Sequence, residues 1–273
     1  MSDDYLATGF RDVDGAGVGD VYIKCLTLLD SLPFYSQVKQ QSYGLMDLGG
    51  AACVLDEGCG LGFDAFRMAV AIGPGGHVVG FDASTALMAQ AHKDPRAWKL
   101  PVSFCAGDLK ALPFCASAFD GCRIDRVLQH VPRPETVIAE LVRALQPRGI
   151  LLAYDNDWRT FKVTSDDAAL TRRIETHWCH AFANREIGRE LPQPLQEAGL
   201  TRIESHQHVS VIEDFETADA VYNLRQTADR LAASGEITEN EAHAWIAGLE
   251  ERGRQGCFAA ELTAYTVAGR KDG

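Results

Sequence analysis

The residues best suited to chemistry lie in the first half of the chain. Gly58, Gly60 and Gly62 alternate in VLDEGCGLG, Val54 to Gly62, directly after the apolar run Cys53-Val54-Leu55-Asp56. Glycine permits positive φ and lets a ligand approach the backbone. A helix that starts after such a turn offers unpaired N–H groups. Asp82 closes the next apolar run, 24 residues after Gly58. A carboxylate there is placed to accept hydrogen bonds from a ribose diol. Two cofactor types compete for this turn. A dinucleotide asks for G-x-G-x-x-G, with pyrophosphate against the helix N-terminus. Here the third glycine comes one residue early, and the turn begins with Asp56 and Glu57. An acidic rim disfavours pyrophosphate and suits a ligand that carries an ammonium and a sulfonium. A tight strand-to-helix turn with no ligand is the plain alternative.

Further groups follow the later strands. His130 sits in VLQHV after a fourth apolar run, and Asp155 and Asp157 follow a fifth in YDNDW. In α/β sheets ligands bind at the C-terminal ends of strands. His130, with Asp155, is therefore the candidate general base or orienter, with a backbone-bonded His130 as the bland reading. His177 and His180 share a helix face, and His206 and His208 share a strand face. Solvated or hydrogen-bonded histidines are the simpler reading of that set, and no metal is expected.

These groups need elements to hold them. Helix patterns run from about Asp20 to Leu32, stopping at Pro33, and from about Tyr35 to Leu48, ending at Gly49-Gly50. Strands are expected at Cys53–Asp56, His77–Phe81, Val102–Cys105, Phe119–Val127 and Gly149–Tyr154. Helices alternate with them: Gly62–Ile72, one capped by Ser84, and one opened by Pro134 whose apolar positions are Val137, Ile138, Leu141, Val142 and Leu145. Such alternation means a mostly parallel α/β sheet. After Asp155 the alternation breaks. Residues 158–186 read as helical with Ser165 as a cap, and a helix near 188–199 precedes a strand at 201–212. Helices at about 215–233 and 239–252 follow, the last with a Thr238/Glu241 capping box, before a final strand at 257–269. Residues 1–19 read as a flexible lead-in.

Composition excludes several classes. The chain has 273 residues and a formal charge of −12, with 46% hydrophobic and 23% charged residues, a globular composition. The acidity argues against the basic surface that nucleic-acid binding needs. No apolar run approaches the ~20 residues of a membrane span, and the N-terminal residues lack a signal-peptide pattern. The eight cysteines include no C-x-x-C pair, which points to small buried hydrophobes in a reducing cytoplasm.

The order of these segments resembles the class I S-adenosylmethionine-dependent methyltransferases. VLDEGCGLG resembles their first motif, GFDAS their ribose-binding strand end and CAGDLKALPF their adenine-reading segment. FDGCRIDRVLQHVPRPETVIAELVRALQPRGILLAYD resembles their fourth strand, helix and fifth strand. Within that class the chain is most similar to ubiquinone/menaquinone-biosynthesis-like and natural-product small-molecule enzymes. The resemblance implies a Rossmann-like, seven-stranded, mostly parallel sheet with an antiparallel C-terminal hairpin. It implies a helical cap over 1–50 and a methyltransferase domain over 51–273, with lid insertions at about 158–186 and 215–252. Gly58, Gly60 and Gly62 would cradle the methionine portion and Asp82 the ribose. Asp108, with the Leu109 backbone, would read the adenine, and Asp125 would meet the methionine amino group. Asp56, Cys59, Ala83, Gly107 and Arg126 lie in the same segments and join the cofactor contacts. Tyr22 from the cap would close over the sulfonium. The chain departs from related sequences after Lys39, where Gln40 and Gln41 replace a frequent basic pair.

The expected activity is methyl transfer from S-adenosylmethionine to an O, N or C atom of a small molecule of secondary or quinone-like metabolism, by a cytoplasmic monomer or homodimer. Trp158, Phe161, Trp178, Phe182, Tyr222 and Trp245 would help seal a largely apolar substrate pocket between cap and lid. A protein or peptide side chain as acceptor, a non-catalytic cofactor-binding protein, and a nicotinamide oxidoreductase are the alternatives.

Overall fold

The structure, a computed structural model, describes residues 5–15, 19–73 and 75–273. Helices α1 (Leu6–Gly9), α2 (Gly19–Ser31) and α3 (Pro33–Leu45) precede β1 (Cys53–Glu57). Then come α4 (Phe63–Ala71), β2 (His77–Asp82), α5 (Thr85–Lys93), β3 (Val102–Ala106), β4 (Phe119–Asp125), α6 (Pro134–Ala144) and β5 (Leu145–Val163). The second half holds α7 (Ala168–His180), α8 (Ile187–Glu190), α9 (Pro192–Glu197), β6 (Leu200–Ile212), α10 (Phe215–Tyr222), α11 (Leu224–Ala233), α12 (Glu239–Arg254) and β7 (Ala260–Lys271).

Local chemistry sets many of these boundaries. Pro33 opens α3, where a missing N–H costs nothing. The Ser84 hydroxyl accepts from Leu87 N at 3.1 Å and starts α5. Thr238 and Glu241 form the reciprocal capping box of α12. Val137, Ile138 and Leu141 give α6 its buried stripe.

The seven strands form one sheet in the order β3-β2-β1-β4-β5-β7-β6. Strands β1 to β5 run parallel, and β7 enters antiparallel between β5 and β6. Chain order reverses at β1, so the crevice beyond β1 and β4 is the topological switch point where open α/β sheets bind ligands. A third layer lies past the strand ends. There Tyr5, Tyr22, Trp158, Trp178, Phe182 and Tyr222 pack into one apolar cluster that joins the N-terminal segment to the second half of the chain.

Several expected boundaries move. Strand β5 continues past Tyr154 to Val163, because β7 pairs with it as far as Val163↔Ala260. Residues 158–163 are therefore strand, and the helix of this region is α7. Its cap is Asp167, which accepts from Ala169 N at 3.1 Å and Leu170 N at 2.9 Å. Ser165 instead accepts from Asp167 N. The helix expected over 215–233 breaks at Asn223, which is left-handed with φ 47°. The lead-in is packed where it is described: Tyr5, Leu6, Ala7 and Val13 are buried. The rest of the lead-in, residues 1–4 and 16–18, lies outside the described residues.

Candidate active site

One cavity of about 490 Å³ opens over the C-terminal ends of β1, β2 and β4. Its floor is the glycine turn. Gly58 has φ 67°, and a Cβ there would come within 2.1 Å of the Val127 side chain, so only glycine fits. The Gly60 N–H donates to Asp82 Oδ2 at 2.8 Å, and Ser84 N donates to Oδ1 at 2.9 Å. The carboxylate is thereby fixed at the wall of the cavity. Burial raises its pKa. Asp108, on the loop after β3, is more than half exposed and accepts from Lys110 N at 2.9 Å.

Beneath the turn lies a buried charge cluster centred on Arg123 of β4. Its guanidinium reaches Asp56 at 3.0 Å, Asp64 at 3.4 Å and Asp125 at 2.5 Å. Lys39 adds a pair to Asp64 at 2.7 Å and a longer one to Asp30 at 3.5 Å. Tyr43 also donates to Asp64. Burial pushes Asp56 up to about 7, against the pull of Arg123. Burial works against the charge of Asp125 as well, but Arg126 and Arg123 outweigh it and hold its pKa below the ordinary carboxylate value. Lys39, the one cation α3 offers, is thus spent on carboxylates. Glu57 faces away from the cavity. It is fully buried, neither oxygen has a hydrogen-bond partner among the described residues, and burial with nearby Asp82, Glu140 and Asp56 raises its pKa well above the usual value.

The upper wall is aromatic. Trp158 of β5 stacks on Phe182 at 4.2 Å and 14°. Trp178, Tyr222, Tyr35 and Phe10 extend that wall. Residues 5–15 form the roof. Leu6 N donates to Asn223 Oδ1 at 2.8 Å, and the Tyr5 hydroxyl meets Thr227 Oγ1 at 3.0 Å. At the other end Asp14 accepts from Thr85 N at 2.8 Å, from Ser84 Oγ and from Ala86 N, on the N-terminus of α5. Leu6, Phe10, Arg11 and Val13 face the cavity from this roof.

His130 lines the cavity with Nε2 engaged and with Nδ1 buried and without a hydrogen-bond partner among the described residues. Trp158 Nε1 and Asn156 Nδ2 both donate to Gln129 Oε1, at 2.7 and 3.1 Å. Two donors on one atom fix that atom as the amide oxygen, so Gln129 Nε2 is the donor. It lies 3.0 Å from His130 Nε2, which must accept, and the imidazole proton sits on Nδ1. Burial, with Arg11 and Arg126 nearby, lowers the His130 pKa to about 3. The ring is neutral and weakly basic.

Of the residues expected from sequence, Asp56, Gly58, Cys59, Gly60, Asp82, Ala83, Asp108, Leu109, Asp125, Arg126 and His130 line this one cavity. Gly62, Gly107, Tyr22 and Asp155 do not. Gly62, with φ 74°, caps α4, and Gly107 N bonds Asp82 O at 3.0 Å, so both act on the turn geometry. Tyr22 is fully buried behind Phe10, the rings meeting edge to face at 5.0 Å; Tyr35 and Phe10 are the aromatics that reach the cavity from the N-terminal segments. Asp155 does not pair with His130. It accepts from Gln129 N at 3.2 Å and Asn156 N at 3.0 Å, and burial raises it to about 8. Gln129, Arg11 and Phe10 were missed. Gln129 stood beside His130 in sequence, but nothing in the lead-in signalled the other two.

His177 lies 3.9 Å from Glu236, and His208 bonds Thr266 at 3.0 Å. Among the described residues no three His, Cys, Asp or Glu side chains are grouped to hold a metal. The eight cysteines are free thiols. No helix among the described residues is long and apolar enough to cross a membrane.

Comparison with known proteins places this geometry. A family model described as "Methyltransferase domain" matches residues 50–229, and the chain belongs to that family. It is 31% identical over 248 residues to an uncharacterized 37.1 kDa protein of transposon TN4556 from Streptomyces fradiae, covering 90% of this chain and 69% of that one. It is 40% identical over 96 residues to the 2-phytyl-1,4-naphtoquinone methyltransferase of Synechococcus elongatus. That match covers 34% of this chain and 41% of the relative, so the likeness spans less than half of either protein. Among solved structures, a putative methyltransferase from Bacillus halodurans superposes with a TM-score of 0.63 at 19% identity, over 87% of this chain and 100% of that one; this likeness speaks for the fold. The chain is a methyltransferase, and its cofactor is S-adenosylmethionine. The cavity fits that group. Gly58 and Gly60 bring bare main chain to the cavity wall, and the carboxylates of Asp82, Asp108 and Asp125 suit a diol, an amine and an ammonium.

Proposed function

We propose that this methyltransferase acts on an O, N or C atom of a small, largely apolar organic molecule in quinone-like or secondary biosynthesis, in the cytoplasm. One observation carries the reading. A single cavity joins the glycine turn to an aromatic wall, and residues 5–15 roof it. A volume of about 490 Å³ is in the range of pockets that enclose small ligands. The roof disfavours a protein side chain as acceptor. The partial likeness to a quinone methyltransferase supports the same substrate class.

Positions on the cavity wall support a set of cofactor contacts. Asp82 with Ala83 takes the ribose, Asp108 with Leu109 the adenine, and Asp125 the methionine end, over Asp56, Gly58, Cys59 and Gly60. The bound cofactor supplies an electrophilic methyl group. The chain aligns the nucleophile with it and excludes water. His130, neutral and held by Gln129, orients the acceptor instead of removing a proton. Asp155 steadies the Gln129 main chain.

Isothermal titration of the full chain with S-adenosylmethionine and with NAD tests the cofactor reading. Saturable binding of the former alone is expected; tighter binding of NAD overturns it. Mass spectrometry on a panel of phenols, hydroxyquinones and amines then tests turnover. Cofactor binding with no methylated product across the panel would leave a non-catalytic binding protein.

A further inference from the structure

Near His130 the cavity wall of this acidic chain carries two arginines. Arg11 and Arg126 both line the cavity, and both lower the basicity of His130. Arg11 donates to the Ala181 carbonyl, and among the described residues no carboxylate lies within ion-pair distance of it. Arg126 donates Nε to Asp125 Oδ1 at 2.7 Å, while Arg123 takes the other oxygen at 2.5 Å. Two guanidiniums thus share that carboxylate. Neither Nη of Arg126 meets a hydrogen-bond acceptor among the described residues, and its guanidinium lies over the Tyr35 ring at 5.0 Å. Its backbone holds φ 55°, a left-handed conformation costly for a residue with a side chain, fixed by Arg126 N donating to Tyr154 O at 2.7 Å. Beside these cations stand Phe10, Trp158 and Phe182. Arg11 is exposed and Arg126 is paired with Asp125, so neither charge is forced on a ligand by burial; what they offer is N–H donors that no carboxylate of the cavity takes up, open to an anionic ligand.

We propose that the methyl acceptor is a planar, apolar molecule bearing one ionised oxygen — a phenolate, enolate or carboxylate — that Arg11 and Arg126 bind. The inference rests on the small-molecule reading above and names its substrate class. Where that oxygen is the nucleophile, transfer forms an O–CH3 bond, breaks the S–CH3 bond and leaves the electron pair on sulfur. No proton moves, so no base is required. That agrees with a His130 whose Nε2 already accepts the Gln129 N–H.

The test uses two probes of one shape, 2-naphthoate and 2-naphthamide. Each is titrated calorimetrically into the full chain, with and without S-adenosylhomocysteine. The acid should bind about tenfold more tightly than the amide, as one added charge-assisted contact gives. Arg11→Gln and Arg126→Gln should each remove most of that preference, while amide and S-adenosylhomocysteine affinities stay within about threefold. Arg126→Lys keeps the charge and should keep the preference, which separates charge from folding. Equal affinity for the two probes, or binding of neither at millimolar concentration, overturns the inference. So does loss of S-adenosylhomocysteine binding in place of acid binding, which would assign the arginines to the cofactor carboxylate. Failure of S-adenosylhomocysteine to bind the unaltered chain refutes the cofactor reading alone, because the probe preference is also measured without it.

Discussion

The cofactor side of the cavity comes mainly from one stretch, Cys53 to Asp125, whereas the acceptor side draws on residues as far apart as Phe10, Trp158 and Tyr222. The first side is made of backbone geometry and short polar side chains. Gly58 must be left-handed, and Asp82 is held by two main-chain N–H groups. The second side is made of packing. Its aromatic rings come from β5, α7 and α10 and meet only when the chain is folded. A local motif can carry chemistry common to many enzymes, while selectivity has to be assembled from distant segments.

Substitutions can break this contrast, and the largest effect is expected at Trp158. Trp158→Ala deletes the stack on Phe182 and the bond to Gln129. It should cost about 3–5 kcal/mol in chemical denaturation. Cofactor affinity of the folded variant should change little; a large loss would mean that the two sides are not separable. Gly58→Ala should behave oppositely. The added Cβ meets Val127, and the backbone is left-handed. Titration should find S-adenosylmethionine affinity reduced by more than about tenfold, with a stability loss of about 1–3 kcal/mol. Asp14→Ala removes the acceptor of the α5 N-terminus and one anchor of the roof. A loss of about 1 kcal/mol is expected from thermal unfolding, as for other lost caps.

The smallest effect sharpens the contrast from within the cofactor side. Glu57 is raised well above the ordinary value of 4.5 by burial and by its acidic neighbours. Its favourable contribution is therefore complete below the unfolded pKa and is lost as pH rises towards the folded one. Glu57→Gln does not titrate. It should gain in melting temperature relative to the unaltered chain between about pH 5 and about pH 8. A difference independent of pH would mean that Glu57 is ionised in the fold.

Sequence reading reached most of the sheet and the cofactor wall because those residues answer to local demands. A left-handed turn needs glycine at position 58, and a strand must end where Asp82 can turn inward. Residues 158–163 carry aromatics whose spacing resembles a buried helical stripe. Pairing with β7, a hundred residues later, makes them strand. Arg11 and Phe10 were hidden for a similar reason. Their segment has the composition of a loose tail, and its order comes from Asn223, Thr227 and Ser84, far along the chain. Tyr22 and Tyr35 lie on neighbouring helices and differ only in what packs in front of them.

The Arg123 cluster has a consequence for anyone reshaping the cavity. One guanidinium answers to Asp56, Asp64 and Asp125, and Lys39 shares Asp64 with it. Removing any one member strands a buried charge, which typically costs about 3–5 kcal/mol. Those five side chains are a single unit of design: they can be exchanged together for a different floor, but not revised one at a time.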